Sequence, residues 1–336
     1  MRLARNFTKI RIACDSANNI KFYFMTIKQI LDLAIQLGIK NDLRGAKNVE
    51  KNLERIRKNY TRLTEEKRAE FDADKLTNPY SDSQILNDTG KKIKKVFAGI
   101  DMDSAELIMA KGMGDIDLVI SHHPSGKGLA NLADVMSLQV EVLAGYGVPI
   151  NVAEGCFKMR IDEVSRGISP INHYQSVDAA KLLNLGYMCT HTVCDNMVAN
   201  FLKKQITKKK FSTVGEVVDF LKTIPEYAEA LKRGAGPRLF AGAEDNFCGR
   251  ICLSEITGGT EGSPKIYKYL SQAGVGTIVG MHMSERHKKE AEKNHLNVII
   301  AGHISSDSIG MNLFLDELEK RGVEVITGSG LIRVKR

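Results

Sequence analysis

Short apolar runs that alternate with stretches of helical periodicity constrain this chain more than any other feature of its sequence. VFAGID (96–101), DLVIS (117–121), RICLSEI (250–256), VGTIVG (275–280), NVIIAGH (297–303) and VEVIT (323–327) are too short for helices and rich in β-branched residues. Each reads as a strand. Between them lie amphipathic pieces such as SAELIMAKGM (104–113), SVDAAKLLNLG (176–186), a helix pair over 212–234 and SIGMNLFLDELEKRG (308–322). Strands in regular alternation with helices predict an α/β architecture.

A length of 336 residues accommodates two such units with cores of their own. The expected organisation is two α/β lobes with mixed sheets facing a cleft, preceded by an N-terminal helical segment. The first lobe covers 25–195, with a charged helix over 46–73 and a helical cap over 150–187; the second covers 196–336. Thr26 is the expected N-cap of a helix whose apolar stripe includes Ile27, Ile30, Leu31 and Ala34. Helix 46–73 places Val49, Leu53, Ile56 and Tyr60 at helical spacing amid charge, which reads as a solvated helix along one edge.

Residues 1–24 hold Arg2, Arg5, Lys9, Arg11 and Lys21 against Asp15 alone, which is half of the net charge of +8. Asn18, Asn19 and Lys21 interrupt any apolar stretch there, so the segment is a poor signal peptide and is expected to be a disordered extension. The remaining basic excess is dilute. Its one run, Lys208-Lys209-Lys210, reads as a solvated helix end, and with aromatics at 6% there is no basic–aromatic interleaving to support nucleic-acid binding. No apolar run approaches the ~18 residues that span a bilayer. The six cysteines form no CxxC pair, as expected of a reduced cytoplasmic chain with no membrane partner.

Three strand ends carry similar chemistry. His122 and His123 follow LVIS and precede the strand-stopping Pro124; His191 and Asp195 follow YMCT; His303 and Asp307 follow NVIIAG. In parallel α/β sheets the carboxyl ends of strands are where ligands bind. Imidazole and carboxylate lone pairs converging from rigid elements are what a metal site needs, and this many donors suit two metals rather than one tetrahedral zinc. His173, His282 and His295, which stand alone, read as ordinary hydrogen-bonded residues. GGTEGS (258–263), ahead of a helix, offers either a phosphate seat or a tight turn for close packing.

DLVISHHPSGKGL, THTVCDN, RICLSEITGGTEGS and NVIIAGHISSDSIGMNLFLDEL resemble, in order, the signature segments of the Nif-three-like dinuclear-metal proteins, often labelled GTP cyclohydrolase type-two homologues. The resemblance covers roughly 94–330, and the His-His-Pro and Gly-His segments are its specific parts. It implies that the cleft contains two divalent metal ions (Zn, Mn or Fe) held by His122, His123, Asp195, His303 and Asp307, with His191 as the catalytic residue beside them. It implies a homohexameric ring and a hydrolase acting on a nucleotide or other phosphorylated small molecule. The rival class is a non-catalytic metal-binding or interaction protein. Three departures stand out. The family has Glu where this chain has Asp307, so the shorter side chain is expected to reach one metal only or to need its segment to move inward. The family's Trp-Asp-Asn motif is missing from a chain without tryptophan. The longer His123–Asp195 spacing places 150–187 as an added cap over the site.

Overall fold

A computed structural model describes residues 24–336; the expected disordered extension, Phe24 apart, lies outside them. The chain enters through β1 (Met25–Thr26) and α1 (Ile27–Asn41). Thr26 caps α1 in a reciprocal box with Gln29, and Ile27, Ile30, Leu31 and Ala34 form its buried face. The helix expected over 46–73 is broken into α2 (Ala46–Tyr60), α3 (Glu65–Glu70) and a 3-10 turn (Ala73–Leu76). Thr64 accepts from the Lys67 amide and so starts a new helix where the periodicity continues.

Strands β2 (Ile85–Asn87), β3 (Lys92–Ile93) and β4 (Lys95–Gly99) follow, then α4 (Ser104–Met113) and β5 (Leu118–Ser121). Three short helices, α5 (Gly126–Ala130), α6 (Leu132–Val135) and α7 (Leu138–Gly145), lead to α8 (Ile150–Ile168), α9 (Gln175–Leu183), β6 (Gly186–Cys189) and α10 (His191–Thr207). The second half contains α11 (Val214–Lys222), α12 (Pro225–Lys232), β7 (Arg238–Ala241), β8 (Arg250–Cys252) and α13 (Ile266–Gln272). It continues with β9 (Val275–Gly280), α14 (Glu285–Lys293), β10 (Asn297–Ile300), α15 (His303–Glu319) and β11 (Glu324–Thr327).

The fold is α/β with two mixed sheets, as expected, and the sheets share one plan. In the first, β4, β5 and β6 are parallel, with β2 antiparallel at the β6 edge. In the second, β8, β9 and β10 are parallel, with β7 antiparallel at the β10 edge. In each, the antiparallel strand comes first in sequence, three parallel strands follow in order, and the last feeds a 17-residue helix, α10 or α15. The strand β1 pairs with β3 in a separate two-stranded ribbon.

Both long helices are shared between the sheets, whereas the sequence divides the lobes at 195/196. That boundary falls inside α10. Val193, Cys194 and Met197 pack with Met311, Phe314 and Leu315 against Val96 and Ile120 of the first sheet. Val198, Leu202 and Ile309 pack against Val279 and Ile299 of the second. A helix apolar on every side is a buried one. The chain then returns to the first sheet, where β11 lies parallel to β4. The segment expected as a cap, 150–187, contributes to both cores. Ala153 and Phe157 of α8 are buried in the core of the second sheet with Tyr267 and Leu270, while Val177 and Ala180 of α9 join Leu107 of α4 against the first.

Candidate metal centre

The strand ends are held by the backbone before any side chain acts. Beyond β5, the His122 amide donates to Gly99 O at 2.9 Å and the His123 amide to Ile100 O at 3.0 Å, so the ladder with β4 continues past the strand. At β6 the Thr190 amide donates to Ser121 O at 2.9 Å, and at the matching place after β10 the Ala301 amide donates to Gly280 O, also at 2.9 Å. His191 and His303 are each the first residue of their helix, with no loop before them. The i,i+4 spacing to Asp195 and Asp307 puts each His and Asp on one helix face. Gly302 makes the sharp entry to α15 at φ +110°; a Cβ there would meet Ala235 O at 2.7 Å.

The two helices cross without a side chain between them. A Cβ on Gly310 would lie 2.3 Å from Cys194 O, so α15 sits directly on α10 one residue before Asp195. The consequence is convergence. His122 Nε2 lies 3.4 Å from Asp195 Oδ1 and 3.4 Å from Asp307 Oδ1. The other Asp307 oxygen, Oδ2, lies 3.4 Å from His123 Nε2 and 3.5 Å from His303 Nε2, and those two nitrogens are 3.1 Å apart. The donors form overlapping groups able to hold a metal ion: His122, Asp195 and Asp307; His123, His303 and Asp307; and His122, His123 and His191. Asp307 therefore belongs to two groups, one through each oxygen. The shorter side chain presents one oxygen to each group, and the Gly310 crossing sets its helix directly against α10.

His122, Asp195 and Asp307 are sealed from solvent, yet both His122 nitrogens, Asp195 Oδ1 and both Asp307 oxygens lack a hydrogen-bond partner. A buried polar group left unpaired costs about 1–3 kcal/mol, more when charged. Donors 2.0–2.1 Å from a tetrahedral ion stand roughly 3.4 Å apart, which is the spacing found. The residues fit divalent metal.

The electrostatics agree. Burial alone would depress the His122 pKa, yet Asp307 and Asp195 raise it well above the usual imidazole value. His123 rises to about 9 against its own burial, through Asp101 and Asp307. Burial opposes ionisation of Asp307, but His122 and His123 hold it far below the carboxylate range. Without metal, protons on His122 and His123 supply the positive charge this cluster requires. His303 is lowered by burial, reinforced by His282 and His123, and so keeps a lone pair.

Neither a family model nor a curated protein sequence matches this chain. Among solved structures, a NIF3 superfamily protein from Sphaerobacter thermophilus superposes with a TM-score of 0.73 at 24% identity, over 92% of this chain and 99% of that one. The chain has the NIF3 superfamily fold. A Bacillus cereus protein related to NIF3 gives a TM-score of 0.46 at 11% identity over 91% of this chain and 97% of that one. Reduced HcgD from Methanocaldococcus jannaschii gives 0.45 at 16% identity over 73% and 87%.

On this NIF3-type framework the structure adds residues that sequence patterning did not single out. Asp101, at the end of β4, accepts from His123 Nδ1 at 2.6 Å. Asp82, in the turn-rich loop before β2, is fully buried and faces His191. His282 is 5.4 Å from the His303 ring, with its buried Nδ1 unpaired. It follows β9 as His122 and His123 follow β5, and the shared sheet plan is the signal that would have found it. The glycine loop resolves toward packing. Gln139 Nε2 donates to Gly258 O and Thr260 O, and a Cβ on Gly258 would lie 2.4 Å from Gln139 Cγ.

Proposed function

We propose that the protein is a dinuclear metal-dependent hydrolase acting on a nucleotide or other phosphorylated small molecule, with GTP cyclohydrolase chemistry as the activity implied by the sequence resemblance. The observation that carries this reading is Asp307, a buried carboxylate whose two unpaired oxygens face two different donor groups. In this reading His122 and Asp195 would hold one ion and His123 and His303 the other, with Asp307 available to both. Imidazole–carboxylate ligation accepts zinc, manganese or iron. When bound, such a pair acidifies a water and polarises the substrate.

The chain's own residues do the rest. His123 and His303 have side chains 27% and 37% exposed, whereas His122, Asp195 and Asp307 are closed off, so substrate approaches from the His123–His303 side. His191 accepts a proton at Nε2 from water in the cleft, since its Nδ1 is engaged by Asp82. Asp101 holds the ring of His123 in place. The five described cysteines are unpaired, in keeping with a reducing cytoplasm. Among the described residues no helix is long and apolar enough to cross a membrane. We assign the assembly as a homohexameric ring.

The test is metal analysis of protein stripped of metal and then titrated with Zn, Mn and Fe, followed by a nucleotide and phosphoester panel. Two ions per chain with metal-dependent product release is the expected result. Two ions with no turnover across the panel would favour the non-catalytic metal-binding reading; no ion at all would overturn both.

A further inference from the structure

Asp82 is fully buried and lies in a loop pinned to β6, where Gln84 and Cys189 exchange both backbone hydrogen bonds. Among the described residues no lysine or arginine forms an ion pair with it. Its carboxylate is satisfied instead by a set of donors divided between its oxygens. Oδ1 accepts from the Thr192 amide at 3.4 Å and from Ser83 Oγ at 3.3 Å. Oδ2 accepts from Thr192 Oγ1 at 2.6 Å and pairs with His191 Nδ1 at 2.8 Å. A buried carboxylate offers acceptors only, so the proton between Asp82 and His191 resides on Nδ1. That leaves Nε2 with its lone pair on the opposite side of the ring, 4.0 Å from Asp195 Oδ2 and facing His122 across 5.0 Å between ring centres.

We propose that Asp82 is a positioning residue that locks His191 in the Nδ1–H tautomer and so aims a lone pair at Nε2 into the metal cleft. The role of His191 as proton acceptor rests on the function proposed above; the tautomer does not. The mechanism is orientation and tautomer choice, as when a buried carboxylate fixes a catalytic imidazole elsewhere. The donor division makes the proposal sharply testable. The Thr192 amide can only donate, so in Asp82→Asn the amide oxygen must remain at the Oδ1 position. The new NH2 then falls at the Oδ2 position and donates to Nδ1. The tautomer of His191 inverts, with a near-isosteric side chain and the same loop.

The experiment is nitrogen-15 NMR of the imidazoles in metal-free protein, followed as pH is raised from about 7 to about 10. His191→Gln identifies the resonance. The parent should show His191 protonated at Nδ1, and Asp82→Asn should show it protonated at Nε2. Zinc stoichiometry should be the same in both, and any hydrolytic rate should fall about 10²-fold or more in the variant. A parent His191 protonated at Nε2 overturns the proposal even if Asp82→Asn fails to fold, and so does an unchanged tautomer in a folded variant. Loss of zinc from Asp82→Asn would also overturn it, by showing that Asp82 acts on the ligand set. A parent that binds no metal yet shows the Nδ1–H tautomer sinks the hydrolase reading and leaves the role of Asp82 intact.

Discussion

His122 and His303 both lie just past an apolar strand in the sequence, yet they differ in burial. His122 has no exposed surface and stands between two carboxylates, whereas the side chain of His303 is 37% exposed. Replacing His122 with Ala therefore leaves Asp195 buried without a facing cation and Asp307 with His123 alone, a loss of about 3–5 kcal/mol in the metal-free protein. His303→Ala should cost under about 1 kcal/mol. Both should lower metal content. Urea melts of the stripped proteins with parallel metal analysis check this, and equal melts would refute the burial contrast. Asp307→Glu tests the bridging carboxylate. Because α15 is already drawn onto α10, an added methylene overfills a site whose metal–oxygen distances tolerate only about 0.2 Å. The variant should bind the second ion about 10-fold or more weakly than the parent, and Asp307→Ala should bind neither ion tightly. Tighter binding by Asp307→Glu would show that the native side chain is too short.

Among the elements, the crossing of α10 and α15 is the tightest constraint. Gly310→Ala would push Cβ against the Cys194 carbonyl, so it should destabilise by about 1–3 kcal/mol and lower metal stoichiometry. A variant with parental stoichiometry would mean the helices can part without moving the ligands. The 3-10 turn after β8 supplies a pH test. Burial, with Glu261 adding to it, raises the Glu255 carboxyl to about 7 against the opposing Gly262 amide and Arg160. Folding thus favours the protonated acid: its stabilisation is full below about 4.5 and fades as pH rises through about 7. Between about pH 5 and pH 8 the parent should lose about 2–3 kcal/mol relative to Glu255→Gln, read from urea melts. Parallel strands buried on both faces read as unbroken apolar runs, which is why β4, β5, β9 and β10 and their polar ends were legible in the sequence. The edge strand β7 is half exposed, and α14 buries little more than His287 and Ala291, so neither has a strong pattern. Asp82 was invisible for another reason: its partner is 109 residues away, and a turn-forming Asp looks the same whether or not it meets a histidine.

For the molecule as a whole, the expected assembly is six chains. On the outer side of the first sheet, Ile108 and Met109 of α4 and Leu182 of α9 are 62%, 55% and 88% exposed, apolar surface of the kind that subunit contacts cover. Light scattering should give the mass of a hexamer, and Met109→Glu combined with Leu182→Glu should lower it if this face is the contact. A monomeric parent would remove the ring. The return of β11 to the first sheet bears on how the protein is made. During synthesis β4 emerges more than 220 residues ahead of the strand that covers it, so its flank is an open edge until β11 follows. His303 and Asp307 emerge just as late. A nascent chain therefore carries a half-built cluster, with His122, His123 and Asp195 present and Asp307 absent, until α15 leaves the ribosome. The donor groups can then close only once α15 has emerged, and a chain cut short before residue 303 lacks both Asp307 and the strand that closes the first sheet.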